Sequence, residues 1–201
     1  HPVKIITTGE GGMGLTNNDN LARRMELLRS HGITRDKKQI TQESEGPWYY
    51  EQLDLGFNYR MTDMQAALGI SQLKRLDAFV TRRHEISKKY DDSFKDCSFK
   101  VPYQHPDNYS ARHLYVIQLN QTQNSLNRRQ IVESLQARGI QANVHYIPVH
   151  LQPFFKSMGF GKGDFIEAER YYEEAISLPI YPTLTDSEQN KVINVMKDLV
   201  D

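Results

Sequence analysis

At 201 residues, with 38% hydrophobic and 25% charged side chains, the chain has the make-up of a globular protein of one large or two small domains. Its 25 basic and 25 acidic side chains cancel, which leaves no basic excess for nucleic acid and no charged tail. The single cysteine, Cys97, excludes an internal disulfide and fits a reducing compartment, and no stretch is apolar for long enough to cross a bilayer, so a cytoplasmic protein without a membrane partner is expected.

The chain opens on His1-Pro2-Val3-Lys4-Ile5-Ile6-Thr7-Thr8-Gly9-Glu10-Gly11-Gly12. A neutral lysine amine attacks carbonyls, and burial or cationic neighbours favour the neutral form. The glycine turn would let backbone approach a ligand closely. On spacing alone the favoured reading of Lys4 is an exposed lysine at a strand edge. Residues 3–8 and 13–16 read as strands flanking the turn. Asn17, Asn18 and Asp19 then cap a helix with Leu21, Met25, Leu28 and His31 on one face, and Gly32 ends it.

Residues 33–56 form a long polar connection holding Gly46-Pro47-Trp48-Tyr49-Tyr50. Its adjacent aromatics fit a loop pinned by packing or a wall of a ligand site. Thr62 with Gln65 forms a capping box that opens one long helix over about 63–95. Its stripe runs from Met64 through Leu68, Leu73, Leu76 and Val80 to Ile86, Tyr90 and Phe94. Strands are expected at 99–103, 113–119 and 140–146, with helices over 126–138 and 164–176. The 147–160 connection is rich in proline, histidine and aromatics. An extended 178–182 precedes a last helix capped by Thr185 and Glu188, with Val192, Val195, Met196 and Leu199 facing inward.

Three stretches resemble the DegT/DnrJ/EryC1/StrS sugar aminotransferases. His1, Lys4, Thr8, Glu10, Gly11 and Gly12 match that family's Schiff-base lysine motif. The segment from Gly56 through Asn58, Arg60, Met61, Thr62, Asp63 and Gln65 to Leu68 matches a second. His145-Tyr146-Ile147-Pro148-Val149-His150-Leu151-Gln152 is similar to its small-domain segment. The resemblance implies an α/β, fold-type I, aspartate aminotransferase-like transferase using pyridoxal 5′-phosphate (PLP). It implies the end of the PLP-binding large domain at 1–61, a long bridging helix at 62–97 and a small α+β domain at 98–201.

It further implies that Lys4 is the catalytic, cofactor-bearing lysine. Asn58 would reach the PLP phosphate of a neighbouring subunit in a homodimer with shared sites, although alone it reads as a turn residue. Arg60 would clamp the amino donor's carboxylate, or a phosphate; by residue type it is equally a capping or solvent-exposed arginine. His145, Tyr146 and His150 would line the sugar-nucleotide site, where the bland reading is surface residues on a loop. No metal is assigned.

Within the family the likeness is greatest to the pseudaminic-acid branch, through residues 31–36, 46–50 and 145–155. That implies transamination of a UDP-linked 4-keto-6-deoxy-N-acetylhexosamine to its 4-amino sugar, with glutamate as donor. The acidic partner of the pyridine nitrogen and the ring-stacking aromatic are not identifiable, so the resemblance implies the C-terminal half of such an enzyme, inactive by itself. The alternative function is an interaction or dimerisation module without catalysis.

Overall fold

A computed structural model describes residues 1–120 and 125–200. The chain divides into two compact units, His1–Lys74 and Arg75–Asp201.

The first unit is built around the end of one helix. Asn18 caps α1 (Asp19–Arg29), its Oδ1 accepting from the N–H groups of Asn20 and Leu21 at 3.0 and 3.1 Å. The last carbonyls of any helix lack partners within it. Here the N–H of Gly32 reaches the Leu27 carbonyl at 2.9 Å, Phe57 that of Leu28 at 2.7 Å, and Tyr59 that of Arg29 at 2.9 Å. A Cβ on Gly32 would lie 1.9 Å from the Asp54 carbonyl oxygen, and one on Gly56 would lie 2.2 Å from the Gly32 nitrogen. Only glycine permits this approach, and Gly32 also has φ +70°.

β1 (Ile33–Thr34) and β2 (Glu51–Gln52) form an antiparallel pair inside the connection expected to be irregular. Two-residue strands carry no readable alternation. Glu51, the first residue of β2, fastens the loop between the two strands. Its carboxylate accepts from the Thr41 N–H at 2.9 Å, the Thr41 hydroxyl at 3.0 Å, the Gln42 N–H at 2.8 Å and the Tyr49 hydroxyl at 3.2 Å. The Thr41 N–H, with Gln42 and the two hydroxyls, holds the Glu51 carboxyl below its ordinary range against the opposing effect of burial.

A depressed folded-state pKa stabilises the fold above the ordinary carboxylate range, and that contribution disappears as pH falls through the folded value. Trp48, the single tryptophan, sits on this loop and reports on it. Its fluorescence is expected to shift on acidification below the usual Glu range. Glu51→Gln should show the acid-form spectrum already at neutral pH. An unchanged spectrum in that variant would show that the carboxylate does not hold the loop.

Residues 3–6 form a turn and bends, and 7–8 and 13–16 are irregular, where strands were expected over 3–8 and 13–16. A strand is held by a neighbour's ladder, and none of the described segments pairs with them. α2 (Asp63–Leu73) starts at the Thr62–Gln65 capping box, as the sequence indicates. None of the first unit's apolar side chains is buried; Met13, Leu15, Leu55 and Met64 are among the most exposed. The α1 stripe is only partly covered: Met25, Leu28 and His31 are half-buried and Leu21 is exposed.

The single helix expected over 63–95 is two helices. α2 stops at Leu73, and α3 (Leu76–Phe94) begins after a turn at Lys74 and Arg75, where Arg75 has φ −104°, ψ 0°. Neither proline nor glycine marks the break. Asp77 in the first turn of α3, an acid at a helix N-terminus, is the one local signal.

The second unit holds the core. Ile86, Tyr90 and Phe94, four apart on α3, are at most 1% exposed. They pack against an antiparallel sheet of β3 (Phe99–Lys100), β4 (Tyr115–Leu119) and β5 (Ala175–Leu178), with β4 in the middle. Tyr115, Ile117 and Leu119 face the core, alternating with half-buried Val116 and Gln118. α4 (Arg128–Ala137) adds Ile131 and Leu135, and the final α7 (Asp186–Val200) adds Val192, Ile193, Met196 and Leu199.

Two buried polar side chains tie elements together. Arg83 donates to the carbonyls of Arg112, His113 and Ile180 at 3.2, 3.1 and 3.0 Å, and Gln189 donates to that of Ile86 at 2.8 Å. The Tyr115 hydroxyl donates to Asp91 at 2.7 Å; burial, then Asp91, pushes its pKa far above the phenol range.

β3 stops at Lys100 where a strand over 99–103 was expected, and two further segments differ from expectation. Residues 140–146 make only the Asn143–Ser177 bridge, because they run beside β5 for a single pair; Ile140 and Ala142 are buried but Tyr146 is 69% exposed. The helix expected over 164–176 is α6 (Ile166–Glu174), and the chain switches to β5 at Ala175. All four β5 residues are buried, so the strand lacks the alternation that would distinguish it. A 3₁₀ turn (Val149–Leu151) and the short α5 (Pro153–Lys156) precede α6.

Candidate active site

In the first unit the opening segment folds back on α2. The Thr7 hydroxyl oxygen accepts from the Gly9 N–H at 2.9 Å, and the Thr8 hydroxyl donates to the Glu10 carbonyl at 2.9 Å. Gly9 and Gly11 have φ of +85° and +155°. A Cβ on Gly11 would lie 2.6 Å from Thr8 Oγ1, and one on Gly69 would lie 2.8 Å from Thr8 Cγ2. Glycine at 11 and 69 thus lets Thr8 sit between the turn and the helix. From the helix side, Gln65 Nε2 donates to the Glu10 carbonyl at 3.1 Å.

This packing leaves a cleft of about 590 Å³, lined by Lys4, Thr8, Gly11, Gly12, Met61 and Gly69 among others. Lys4 is solvent-exposed at its edge. A second hollow of about 420 Å³ holds Arg60 and Tyr59 and shares Gly11, Gly12 and Met61 with the first. Lys4 and Arg60 therefore border adjoining concavities on either side of one glycine turn. Asn58 lines neither hollow. It is exposed, bridged to Ser30, and fixed by the backbone bonds of Phe57 and Tyr59 to the end of α1.

In the second unit His145 Nδ1 lies 2.7 Å from Ser177 Oγ, and Tyr146 projects into solvent beside it. His150 is only 7% exposed, with Nε2 2.8 Å from Glu169. Glu169 also accepts from the Gly163 N–H at 2.7 Å. His150, followed by the Gly163 and Phe165 amides, lowers the Glu169 pKa, while burial opposes them. The His150–Glu169 pair thus holds the 147–165 connection. An apolar hollow of about 370 Å³ lies against His150, lined by Val149, Phe155, Phe160 and Phe165.

The sequence profile of the DegT/DnrJ/EryC1/StrS aminotransferase family matches residues 1–197. The chain belongs to this family. It is 43% identical over 202 residues to an uncharacterized protein of Methanocaldococcus jannaschii, covering 100% of this chain and 52% of that protein. It is 38% identical to the UDP-4-amino-4,6-dideoxy-N-acetyl-beta-L-altrosamine transaminase of Helicobacter pylori, covering 98% of this chain and 50% of that one.

Among solved structures, Spr1654 of Streptococcus pneumoniae in its PMP form superposes with a TM-score of 0.86 at 28% identity, over 99% of this chain and 51% of that one. Helicobacter pylori PseC, an aminotransferase involved in pseudoaminic acid biosynthesis, superposes with a TM-score of 0.78 at 30% identity, over 92% and 47%. The fold is therefore that of the fold-type I, PLP-dependent sugar aminotransferases, as the motifs implied. The chain spans about half the length of the curated relatives it matches. Among the described residues no helix is long and apolar enough to cross a membrane.

The sequence motifs pointed to Lys4, Asn58 and Arg60. They did not point to Thr8, Gln65, Gly69 or Glu169 as parts of the supporting frame. The Thr62–Gln65 spacing was legible as a cap. The second bond of the Gln65 amide joins residues 55 apart in sequence and leaves no local signal.

Proposed function

We propose that the whole protein moves an amino group from glutamate to the keto carbon of a UDP-linked 4-keto-6-deoxy-N-acetylhexosamine. The 4-amino sugar would feed nonulosonic (pseudaminic) acid or related surface-glycan synthesis in the cytoplasm. The observation that carries this reading is the Lys4 amine at the edge of a cleft walled by its own glycine turn.

The residues present fit PLP. The cleft is within the usual range for a small-molecule site. Among the described residues that line it, Lys4 carries the only side-chain amine, and Gly12 has nothing within 4 Å of where a Cβ would stand, which leaves that part of the wall open. When bound, PLP supplies the electron sink that makes the amino carbon acidic. Lys4 would hold it through nitrogen, and Asn58 would donate its amide N–H to the phosphate in the neighbouring subunit of a homodimer.

The remaining work belongs to side chains. Released by the incoming amine, Lys4 takes the proton from the donor's α-carbon, and in the return half-reaction it delivers one to C4 of the sugar. Arg60 clamps the donor carboxylate with its planar fork. His145 and Tyr146 recognise sugar-nucleotide oxygens, and His150 fixes their loop through Glu169. Residues 1–61 would then end the cofactor-binding domain, 62–97 connect, and 98–201 form the small domain.

Supplying glutamate and the keto sugar nucleotide should yield 2-oxoglutarate and the amino sugar in equal amounts. Turnover of other keto acceptors only, with none of 4-keto-6-deoxy UDP-sugars, would reject the substrate assignment. The shared site has its own test. Mixing inactive Lys4→Ala and Asn58→Ala subunits should restore part of the activity, because one site of each mixed dimer keeps both residues. Verified exchange with no recovery would place Asn58 and Lys4 of a site on the same subunit.

A further inference from the structure

The Gln65 side chain makes two separable sets of bonds. Its Oε1 accepts from the Thr62 N–H at 3.0 Å and the Thr62 hydroxyl at 3.1 Å, which is the capping role. Its Nε2 donates to the Glu10 carbonyl at 3.1 Å. The orientation is forced, since the Thr62 N–H must face the amide oxygen. The same Glu10 carbonyl accepts the Thr8 hydroxyl, and Thr8 packs on Gly69, one helical turn beyond Gln65. The turn so fastened carries Gly11 and Gly12, which line both the Lys4 cleft and the Arg60 hollow.

We propose that Gln65 is a positioning residue, whose amide N–H pins the glycine turn to α2 and thereby sets the wall between the Lys4 cleft and the Arg60 hollow. The proposal rests on the reading above, in which Lys4 and Arg60 serve one reaction. A pinned wall fixes the spacing between a group held at Lys4 and an anion held at Arg60. Freeing the turn lets Gly11 and Gly12 move between the two hollows, so binding at Arg60 weakens while Lys4 remains intact.

Gln65→Glu separates the two roles. Glutamate keeps the oxygen that caps α2 and is the other natural capping-box residue. It loses the N–H donor and turns a carboxylate oxygen toward the Glu10 carbonyl. In the whole protein at neutral pH, Gln65→Glu should keep its helix content and melting temperature. Backbone order parameters of Gly9, Gly11 and Gly12 should fall from about 0.85 toward 0.6. KM for the amino donor should rise about 3- to 10-fold, the worth of one net hydrogen bond, with kcat changed less.

Gln65→Ala, which removes both roles, should add a loss of stability. Wild-type order parameters and KM in Gln65→Glu would overturn the proposal and leave Gln65 a cap alone. A mobile turn with an unchanged donor KM would overturn it as well. Failure of PLP to attach to Lys4 in the wild-type protein would instead sink the functional reading. The order parameters measure the fastening whether or not the protein turns over.

Discussion

Lys4→Ala in the whole protein is expected to abolish transamination while leaving the fold unchanged. Proton transfer by a positioned group is worth about 10²–10⁴-fold, and the same substitution also removes the amine that would hold the cofactor. The loss should therefore exceed that range. Lys4 is exposed, so its removal opens no core cavity, and circular dichroism and the melting temperature should match the parent. Added primary amines such as methylamine would restore the proton-transfer part alone. Near-normal turnover by the variant would mean that another group does this work.

The largest effect on stability is expected in the second unit. Ile117 lies in the central strand β4, fully buried, and pairs across to Ile176. It belongs to one continuous cluster with Tyr90, Ile131, Leu135 and Met196. Ile117→Ala loses the transfer free energy of three carbons and leaves a cavity that close-packed neighbours cannot fill, costing about 2–5 kcal/mol. For a chain of this size each kcal/mol lowers the melting temperature by about 2–4 °C. A denaturant midpoint unchanged by Ile117→Ala would show that this cluster does not hold the protein together. The matching change in the first unit, Leu15→Ala, should be nearly silent, because Leu15 is 86% exposed.

That contrast also accounts for what was legible in the sequence. Capping boxes at Thr62–Gln65 and Thr185–Glu188 and the alternation of Tyr115, Ile117 and Leu119 are local, and each is found in place. The strands expected at 3–8 and 13–16 depend on partners, and no described segment pairs with them. The first half of β5 was hidden inside a helix because burial of every residue erases the two-residue period. The break at Lys74–Arg75 was hidden because the apolar stripe continues through it at helical spacing.

The site shows the same division. Lys4, Asn58 and Arg60 were legible because each stands in a contiguous motif. What holds them was not. Asn58 is placed by bonds from its neighbours' backbone to the end of α1, and the Lys4 turn by the Gln65 amide and the Thr8–Gly69 packing. Those contacts join residues about thirty to sixty apart, and residue type alone does not announce them. His150 illustrates the reverse. It was legible as a polar group near the substrate segment, whereas its nearest partner is the buried carboxylate of Glu169.

The central claim is that Lys4 carries the cofactor, and one measurement addresses it directly. The whole protein is titrated with PLP, reduced with borohydride, digested and mapped by mass spectrometry. A single stoichiometric adduct on Lys4, absent from Lys4→Ala and removed by glutamate added before reduction, is the predicted result. A stoichiometric adduct on another lysine, or scattered substoichiometric labelling with Lys4 unmodified, would contradict it.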